Sequence, residues 1–189
     1  QSGNIFVSDN ANNMIRKVSP HPGFTWNSPQ SLAYDTSGNP NTYIDASGNT
    51  VNYGALVTTI AGNTTAAFAD GIGSSALFNS PYGISVDTSG NIFVNDYNNS
   101  RIRKITPHPG FTWNSPESLA YDSSGNPNTY IDTSGNTLNY GGVVTTIAGN
   151  GSYTFANGIG SSASFYYPGS GLKVDTSGNI FLADVASHN

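Results

Sequence analysis

The chain repeats itself at an interval of 87 residues, and this repeat limits the possible folds more than any other feature. Residues 3–18 read GNIFVSDNANNMIRKV, and residues 90–105 read GNIFVNDYNNSRIRKI. Residues 21–54 and 108–141 differ at four of 34 positions. Because a repeat of this length encodes one structural unit several times over, the sequence predicts an array or a ring of similar units.

The repeat divides the chain into two long units and a remainder. We treat residues 1–189 as one repeat domain with units at residues 4–90 and 91–178 and an overhanging strand at residues 179–189. The overhang opens a third copy of the phrase, GNIFLAD at residues 178–184. The chain therefore starts and stops inside copies of the same phrase, which indicates one piece of an array or polymer.

The segments between the turns predict β-strands. They are short and rich in β-branched and aromatic residues, and none carries a helical period of useful length. Gly and Asp suit hairpin turns, and the turn phrase Asp-x-Ser-Gly-Asn recurs at Asp35, Asp45, Asp87, Asp122, Asp132 and Asp175. We expect an all-β protein of antiparallel meanders without a helix longer than about two turns.

Two blocks of sequence point to a known architecture. Residues 81–106 read PYGISVDTSGNIFVNDYNNSRIRKIT, and residues 143–149 read VVTTIAG. In this order the motifs resemble a blade of the NHL-repeat β-propeller family, and the resemblance implies a propeller of antiparallel blades. The chain departs from the family at residues 107–142, as it does at residues 20–55, because about 35 residues stand where a few are usual.

Two architectures accommodate this extra segment. In the first, each unit forms two blades, which makes four blades in the chain as two 87-residue double-blade repeats. In the second, the segment is a hairpin that decorates one face of a larger NHL-like ring or array. The recurrence of Asn-Ser-Pro and Asp-x-Ser-Gly-Asn inside each unit favours the first architecture.

Composition excludes several classes of partner. The formal net charge is −5 with only six Lys and Arg residues, which argues against a nucleic-acid partner because phosphate binding needs a basic surplus. No stretch of about 20 apolar residues exists that would span a membrane. The chain has no cysteine, so disulfides and cysteine-based metal sites are excluded.

We predict no catalytic residue, no metal ligand and no cofactor. The sequence shows no recognisable set of a nucleophile, a general base and a residue that orients the base. His21 and His108 lie in rigid PHPG turns, and His188 is the only other histidine. Some NHL-like propellers are metal-dependent lyases or lactonases, but the multi-ligand site that this resemblance implies has no evident counterpart here. The chain is therefore predicted not to be an enzyme.

Two sets of side chains remain as candidate sites. Asn-x-Ser/Thr sequences make Asn63, Asn98 and Asn150 candidates for glycosylation. Trp26 and Trp113 occupy matched GFTWNSP phrases, where an exposed indole could form a platform for a sugar. A Phe-x-Trp pair is more typical of core packing, which is the alternative reading of both tryptophans.

The favoured function is architectural. Near-identical units without a unique catalytic group predict a structural protein, extracellular or on the cell surface, that self-associates head to tail into a filament or adhesive stalk. Its partner would be itself or the continuation of a longer repeat chain. Unpaired strand edges recruit partners, so the assembly candidates are Ile5, Phe6, Val7, Ile180, Phe181 and Leu182.

The alternative comes from another class of protein. In this reading the chain is a propeller module that binds a carbohydrate or a protein on one face. A lyase or lactonase is the least favoured function.

Overall fold

The computed structural model describes residues 3–20, 26, 42–44, 50–52, 55–114, 129–131, 137–139 and 141–184. The strands of these residues are β1 (Ile5–Asp9), β2 (Met14–Ser19), β3 (Thr42–Ile44), β4 (Thr50–Asn52), β5 (Leu56–Gly62), β6 (Gly71–Ile72), β7 (Pro81–Val86), β8 (Ile92–Asp96), β9 (Arg101–Thr106), β10 (Thr129–Ile131), β11 (Thr137–Asn139), β12 (Val143–Ala148), β13 (Pro168–Val174) and β14 (Ile180–Asp184). The described helices are 3-10 turns of three residues each, namely η1 (Asn10–Asn12), η2 (Gly73–Ser75), η3 (Tyr97–Asn99) and η4 (Gly160–Ser162). The all-β prediction is confirmed over these residues.

The chain forms two compact units, one of residues 1–5 and 17–58 and the other of residues 6–16 and 59–189. In the smaller unit, β3 and β4 form an antiparallel hairpin, and the Trp26 indole N–H donates a hydrogen bond to the Gly3 carbonyl. The strands β1, β2 and β5 pair in that order as a three-stranded sheet. No helix in the described ranges is long and apolar enough to cross a membrane.

The larger unit contains a blade of four antiparallel strands in the order β7-β8-β9-β12, with β6 added at the outer edge. Alternation along the strands directs one set of side chains into a core. There Ile92, Val94, Ile105 and Val144 are buried in one cluster. Ile105 lies directly opposite Val144 in the β9–β12 ladder, so the pairing of these two strands also completes the core.

This strand order corrects the preferred division of each unit into two blades. The strand β12 pairs with β9, whereas β10 and β11 form a separate two-stranded sheet. The segment between β9 and β12 is therefore an insertion within one blade, as in the second architecture. The repeated phrases that favoured two blades are turn signals, and a hairpin outside the blade can carry them equally well.

The pair β13–β14 packs beside this blade as the start of a further sheet. Phe93 and Ile102 of the blade share a buried cluster with Leu172 and Val174 of β13. The Val174 amide also donates to the Ser85 hydroxyl at 3.1 Å. Successive sheets in the larger unit thus meet through apolar faces, as the propeller resemblance implies.

The Asp-x-Ser-Gly-Asn turns lie where the sequence predicts them at two of the six copies. At Asp87, between β7 and β8, the carboxylate accepts hydrogen bonds from the amides of Ser89 and Asn91 at 2.9 and 2.8 Å. Asp175 makes the same turn between β13 and β14. The remaining copies, at Asp35, Asp45, Asp122 and Asp132, lie outside the described residues.

Hydrogen bonding within the turn changes the pKa of its carboxylate. The side chain and the backbone amide of Asn179 lower the pKa of Asp175 below its ordinary value. A carboxylate that is already bonded by the amides of its own turn has a structural role there. The turns are thus hairpin closures that hold successive strands in register.

Candidate ligand-binding cleft

A cleft of about 520 Å³ opens in the larger unit at one edge of the sheets. It is lined by Asn10, Ser80, Tyr82, Tyr97, Asn98, Tyr167, Gly169 and Ser170. Pro81 at the start of β7 lies opposite Asp96 at the end of the antiparallel strand β8. The start of β7 and the turn that follows β8 therefore lie at the same edge of the sheet. The cleft therefore combines side chains from residues that are far apart in sequence.

Three of the residues that line the cleft are tyrosines. The rings of Tyr97 and Tyr167 stack with centroids 5.7 Å apart at 26°, and Tyr82 lies 6.1 Å from Tyr97. Tyr153 contacts Tyr167 from outside the lining, at 5.6 Å. Tyr82 is 54% exposed. The row thus presents an accessible aromatic face whose rings are supported by one another.

The polar side chains of the lining are held by hydrogen bonds. The Asn98 amide group donates to Asn79 Oδ1 at 3.1 Å and to the Ser80 hydroxyl at 3.0 Å. The Tyr153 hydroxyl donates to the Asn98 carbonyl at 2.6 Å. Asn10 donates to the Pro81 carbonyl at 3.2 Å. Side chains fixed in this way lose less conformational entropy when a ligand binds.

Among the described residues, the lining consists of Asn, Ser, Tyr and Gly and carries no charge. Amide and hydroxyl groups offer both donors and acceptors. Such a surface discriminates by shape and hydrogen bonding, because burying a ligand charge without a partner is costly. The cleft is therefore suited to an uncharged polar ligand with an apolar face.

The repeat provides an internal comparison for the cleft. At the 87-residue interval Asn10 corresponds to Tyr97, and Ser80 corresponds to Tyr167. Equivalent positions of neighbouring sheets thus carry a small polar residue in one copy and a tyrosine in the next. The blade itself does not require an aromatic residue at these positions, so the tyrosine row is a feature of this one cleft.

A buried ion pair supports the edge at which the cleft opens. Arg103 lies 2.6 Å from Asp96 and 2.7 Å from Asp70, and the side chains of Arg103 and Asp96 are both fully buried. Burial raises the pKa of Asp96, while hydrogen bonds from Asn79 and Asn99 and the charge of Arg103 oppose the rise. The Asn79 amide donates to Asp96 at 2.8 Å, which fixes the chain just before β7.

The strands β7, β8 and β9 lie in a segment that matches a known repeat. Residues 78–105 match the family model of the NHL repeat. The match covers β7, β8 and nearly all of β9, which confirms the resemblance drawn from the sequence. No curated protein matches the chain.

Two solved structures resemble the chain in fold. A protein of unknown function from Bacteroides thetaiotaomicron aligns with a TM-score of 0.51 at 18% identity, over 96% of this chain and 30% of that one. An auxiliary nutrient binding protein from the same organism aligns with a TM-score of 0.52 at 15% identity, over 96% and 32%. The chain thus spans about a third of the length of either protein, and the likeness concerns the fold.

Neither predicted platform tryptophan is among the described residues that line the cleft. Trp113, just after the NHL repeat, donates its indole N–H to the Gly90 carbonyl at 2.7 Å. Its ring meets Phe6 edge to face at 5.5 Å and packs against the core cluster, so the core-packing alternative describes it. Trp26 is 45% exposed but does not line the cleft.

The three glycosylation candidates have different surroundings. Asn63 donates its amide nitrogen to the Ser74 carbonyl at 2.8 Å, and the Asn98 amide is bonded at the cleft. Asn150 is exposed, with its side-chain oxygen bonded to the Ser152 amide at 2.8 Å. Because a glycan attaches at the amide nitrogen, Asn150 is the most accessible acceptor. Attachment itself stays a prediction.

The six assembly candidates divide evenly between exposed and packed side chains. Among them Ile5, Val7 and Phe181 are 51%, 41% and 61% exposed. The other three pack in part against the two core clusters, namely Phe6, Ile180 and Leu182. Strand β1 lies at the edge of its sheet.

Sequence reasoning missed the tyrosine row. The tyrosines differ between the two units, and this difference is visible in the sequence. The difference can be recognised as a candidate site only when the strand pairing shows that these residues lie at one edge. In the part of the chain that the structure describes, no group of three His, Asp or Glu side chains is arranged to hold a metal ion.

Proposed function

We propose that the chain is a non-catalytic binding module whose cleft holds an uncharged carbohydrate. The observation that carries the proposal is the stacked tyrosine row, bordered by fixed amide and hydroxyl groups without a charge. The C–H face of a sugar ring packs on an aromatic face, and its hydroxyl groups require both donors and acceptors. A binding role also agrees with the nutrient binding protein of similar fold.

Binding to a glycan array by the complete chain tests this proposal. Tyr82 is more than half exposed, so Tyr82→Ala removes the platform without opening the core. We expect affinity for the best glycan to fall by about tenfold or more, as at other aromatic anchors. Tyr82→Phe should retain most of the affinity, because it preserves the ring.

A matched control separates the cleft from the surface in general. Val86 lies on the same strand and is 40% exposed, and Val86→Ser should bind like the parent chain. If Tyr82→Ala binds as tightly as the parent, the ligand lies elsewhere. If the array is silent but a proline-rich peptide binds in a Tyr82-dependent manner, the module recognises protein.

Self-association is a second proposal, and a separate observation favours it. Ile5 and Val7 on the edge strand β1, and Phe181 on β14, expose apolar side chains beside strand edges. Edges of this kind accept strands from other molecules. Deletion of residues 176–189 should yield smaller species in analytical ultracentrifugation, and unchanged polymers would refute a junction at β14. Both roles accord with a location outside the cell, which stays a prediction.

A further inference from the structure

We infer that the loop at residues 151–160 is a docking surface for strand β2 of a second copy of this chain. The inference gives the proposed self-association a specific contact, and it does not depend on the cleft. At the 87-residue interval this loop corresponds to residues 64–73, so that Phe155 matches Phe68 and Ile159 matches Ile72.

The first copy of the loop shows how such a segment packs. It lies against the blade that follows it, where the Arg101 guanidinium sits 3.8 Å from the centre of the Phe68 ring. Arg103 lies 4.9 Å from the same ring and pairs with Asp70 of the loop at 2.7 Å. The loop then continues as β6, in which Ile72 pairs with β12.

The second copy has the same backbone arrangement without such a cover. The bridges Tyr153–Phe165 and Ala156–Ser164 repeat the bridges Ala66–Phe78 and Ala69–Leu77 of the first copy. Its two apolar side chains, Phe155 and Ile159, are 75% and 93% exposed, whereas Phe68 is 43% exposed and Ile72 is partly buried.

These two side chains are the most exposed large hydrophobic residues in the described part of the chain. Residues 158–159 are the counterparts of β6, which pairs with β12. In the described part of the chain, no strand pairs with residues 158–159. The loop is thus folded in its packed form while its apolar side chains face outward.

A matching acceptor lies on β2. Arg16 is the counterpart of Arg103, and Asp9 is the counterpart of Asp96. Arg16 is 3.3 Å from Asp9 with 29% of its side chain exposed, whereas Arg103 is fully buried between two carboxylates. Within the described residues, no second carboxylate meets Arg16 as Asp70 meets Arg103.

The exposed loop of one molecule and the surface of β2 at Arg16 of another complement each other. Docking would place Phe155 of one copy beneath Arg16 of the next, as Phe68 lies beneath the arginines of β9. Asn157, the counterpart of Asp70, would accept a hydrogen bond from the guanidinium through its side-chain oxygen. Because the two surfaces differ, the contact is head to tail and can propagate along a row of molecules.

Analytical ultracentrifugation of the complete chain over a concentration series tests the inference. The double variant Phe155→Ser/Ile159→Ser changes only exposed side chains, so it should fold, as circular dichroism will verify. We expect its dissociation constant to rise by about tenfold or more, because two apolar contacts are lost. Val86→Ser, at another exposed apolar site, should associate like the parent chain.

A second variant tests the partner on β2 by a gain of affinity. Asn157→Asp restores the carboxylate found at Asp70 and should tighten association several-fold through an ion pair with Arg16. Adding Arg16→Gln should remove that gain, because a double-mutant cycle isolates the pair. If Asn157→Asp tightens association equally with and without Arg16, the assigned partner is refuted.

The outcomes separate this inference from the proposals before it. A parent chain that stays monomeric throughout overturns both the docking surface and self-association, and leaves glycan binding untouched. If association survives in the Phe155→Ser/Ile159→Ser variant but is lost on deletion of residues 176–189, the junction lies at the strand edges and this inference is overturned. Loss in the double variant with retention in Val86→Ser supports it.

Discussion

At the scale of single residues, Arg103 connects the blade β7-β8-β9-β12 to the loop at residues 64–73. It is fully buried beside Asp96, and it also donates to the carbonyls of Leu77 and Ala69 at 3.1 and 2.6 Å. Burying a charge is tolerated only when it is paired and hydrogen-bonded. One side chain thus joins the blade to the loop that covers it.

Replacing Arg103 by Met should reduce the free energy of unfolding by about 3–5 kcal/mol, because Asp96 would be left as an uncompensated buried charge. Urea denaturation measures the loss. Arg101→Met is the matched control, because Arg101 is only partly buried, and we expect a loss of about 1 kcal/mol there. Equal losses in the two variants would contradict this role for the buried pair.

The stability lost in the Arg103→Met variant should depend on pH. Burial already raises the folded-state pKa of Asp96, and removing Arg103 takes away a charge that opposes the rise. Since a raised folded pKa favours the folded state as the carboxylate takes up its proton, stability should recover as the pH falls through that pKa. The loss caused by Arg103→Met should therefore be smaller at pH 4 than at pH 7, and an equal loss at both would contradict this account.

At the scale of elements, the blade depends on tight turns at the ends of its strands. Gly149 follows β12 and has a φ of +97°. A Cβ at this position would lie 2.3 Å from the Ser100 carbonyl oxygen. The chain can leave β12 in this direction only because the residue has no side chain.

Gly149→Ala should therefore cost about 2 kcal/mol or more in unfolding free energy, from the unfavourable φ together with the clash. Gly178→Ala is its control, since its φ is also positive, +86°, but a Cβ would meet nothing within 4 Å. We expect about 1 kcal/mol there. Thermal unfolding distinguishes the two, and a milder effect at Gly149 than at Gly178 would refute the close approach.

At the scale of the whole molecule, the described strands of the insertion, β10 and β11, lie outside the ladder that holds the blade together. Thr106 at the end of β9 already faces Val143 at the start of β12. The Trp113 ring would lie 3.1 Å from a Cβ at Gly142, so the two ends of the insertion are close. The blade does not need the inserted hairpin for its pairing.

Replacing residues 115–140 by a short Gly-Ser linker should thus leave the blade folded, with a Tm within about 5 °C of the parent. Circular dichroism and thermal melting measure this. Replacing residues 64–72 by a similar linker is the contrasting variant. It removes Phe68 and Asp70 from the buried arginine, and should lower the Tm far more. An unfolded protein after the first change would mean that the insertion is part of the core.

Local chemistry alone determined much of this protein. The 87-residue repeat is visible by direct comparison of the sequence with itself. The strands and the turns at Asp87 and Asp175 are also recoverable from the sequence, because each depends on residues within about ten positions of one another. The resemblance of residues 81–106 to an NHL blade was also readable, and the match over residues 78–105 confirms it.

The tertiary structure decided what depends on distant pairing. Strand β12 could have joined the hairpin beside it in sequence, but it pairs with β9 across the insertion because Val144 then meets Ile105 in the core. The β7–β8 pairing and the packing of β13 against this blade bring Tyr82, Tyr97 and Tyr167 to one edge. The contrast between Phe68, which is 43% exposed beside Arg101, and Phe155, which is 75% exposed, depends equally on which strand covers each loop. Similar local sequences acquire different roles because burial is set by neighbours that are distant along the chain.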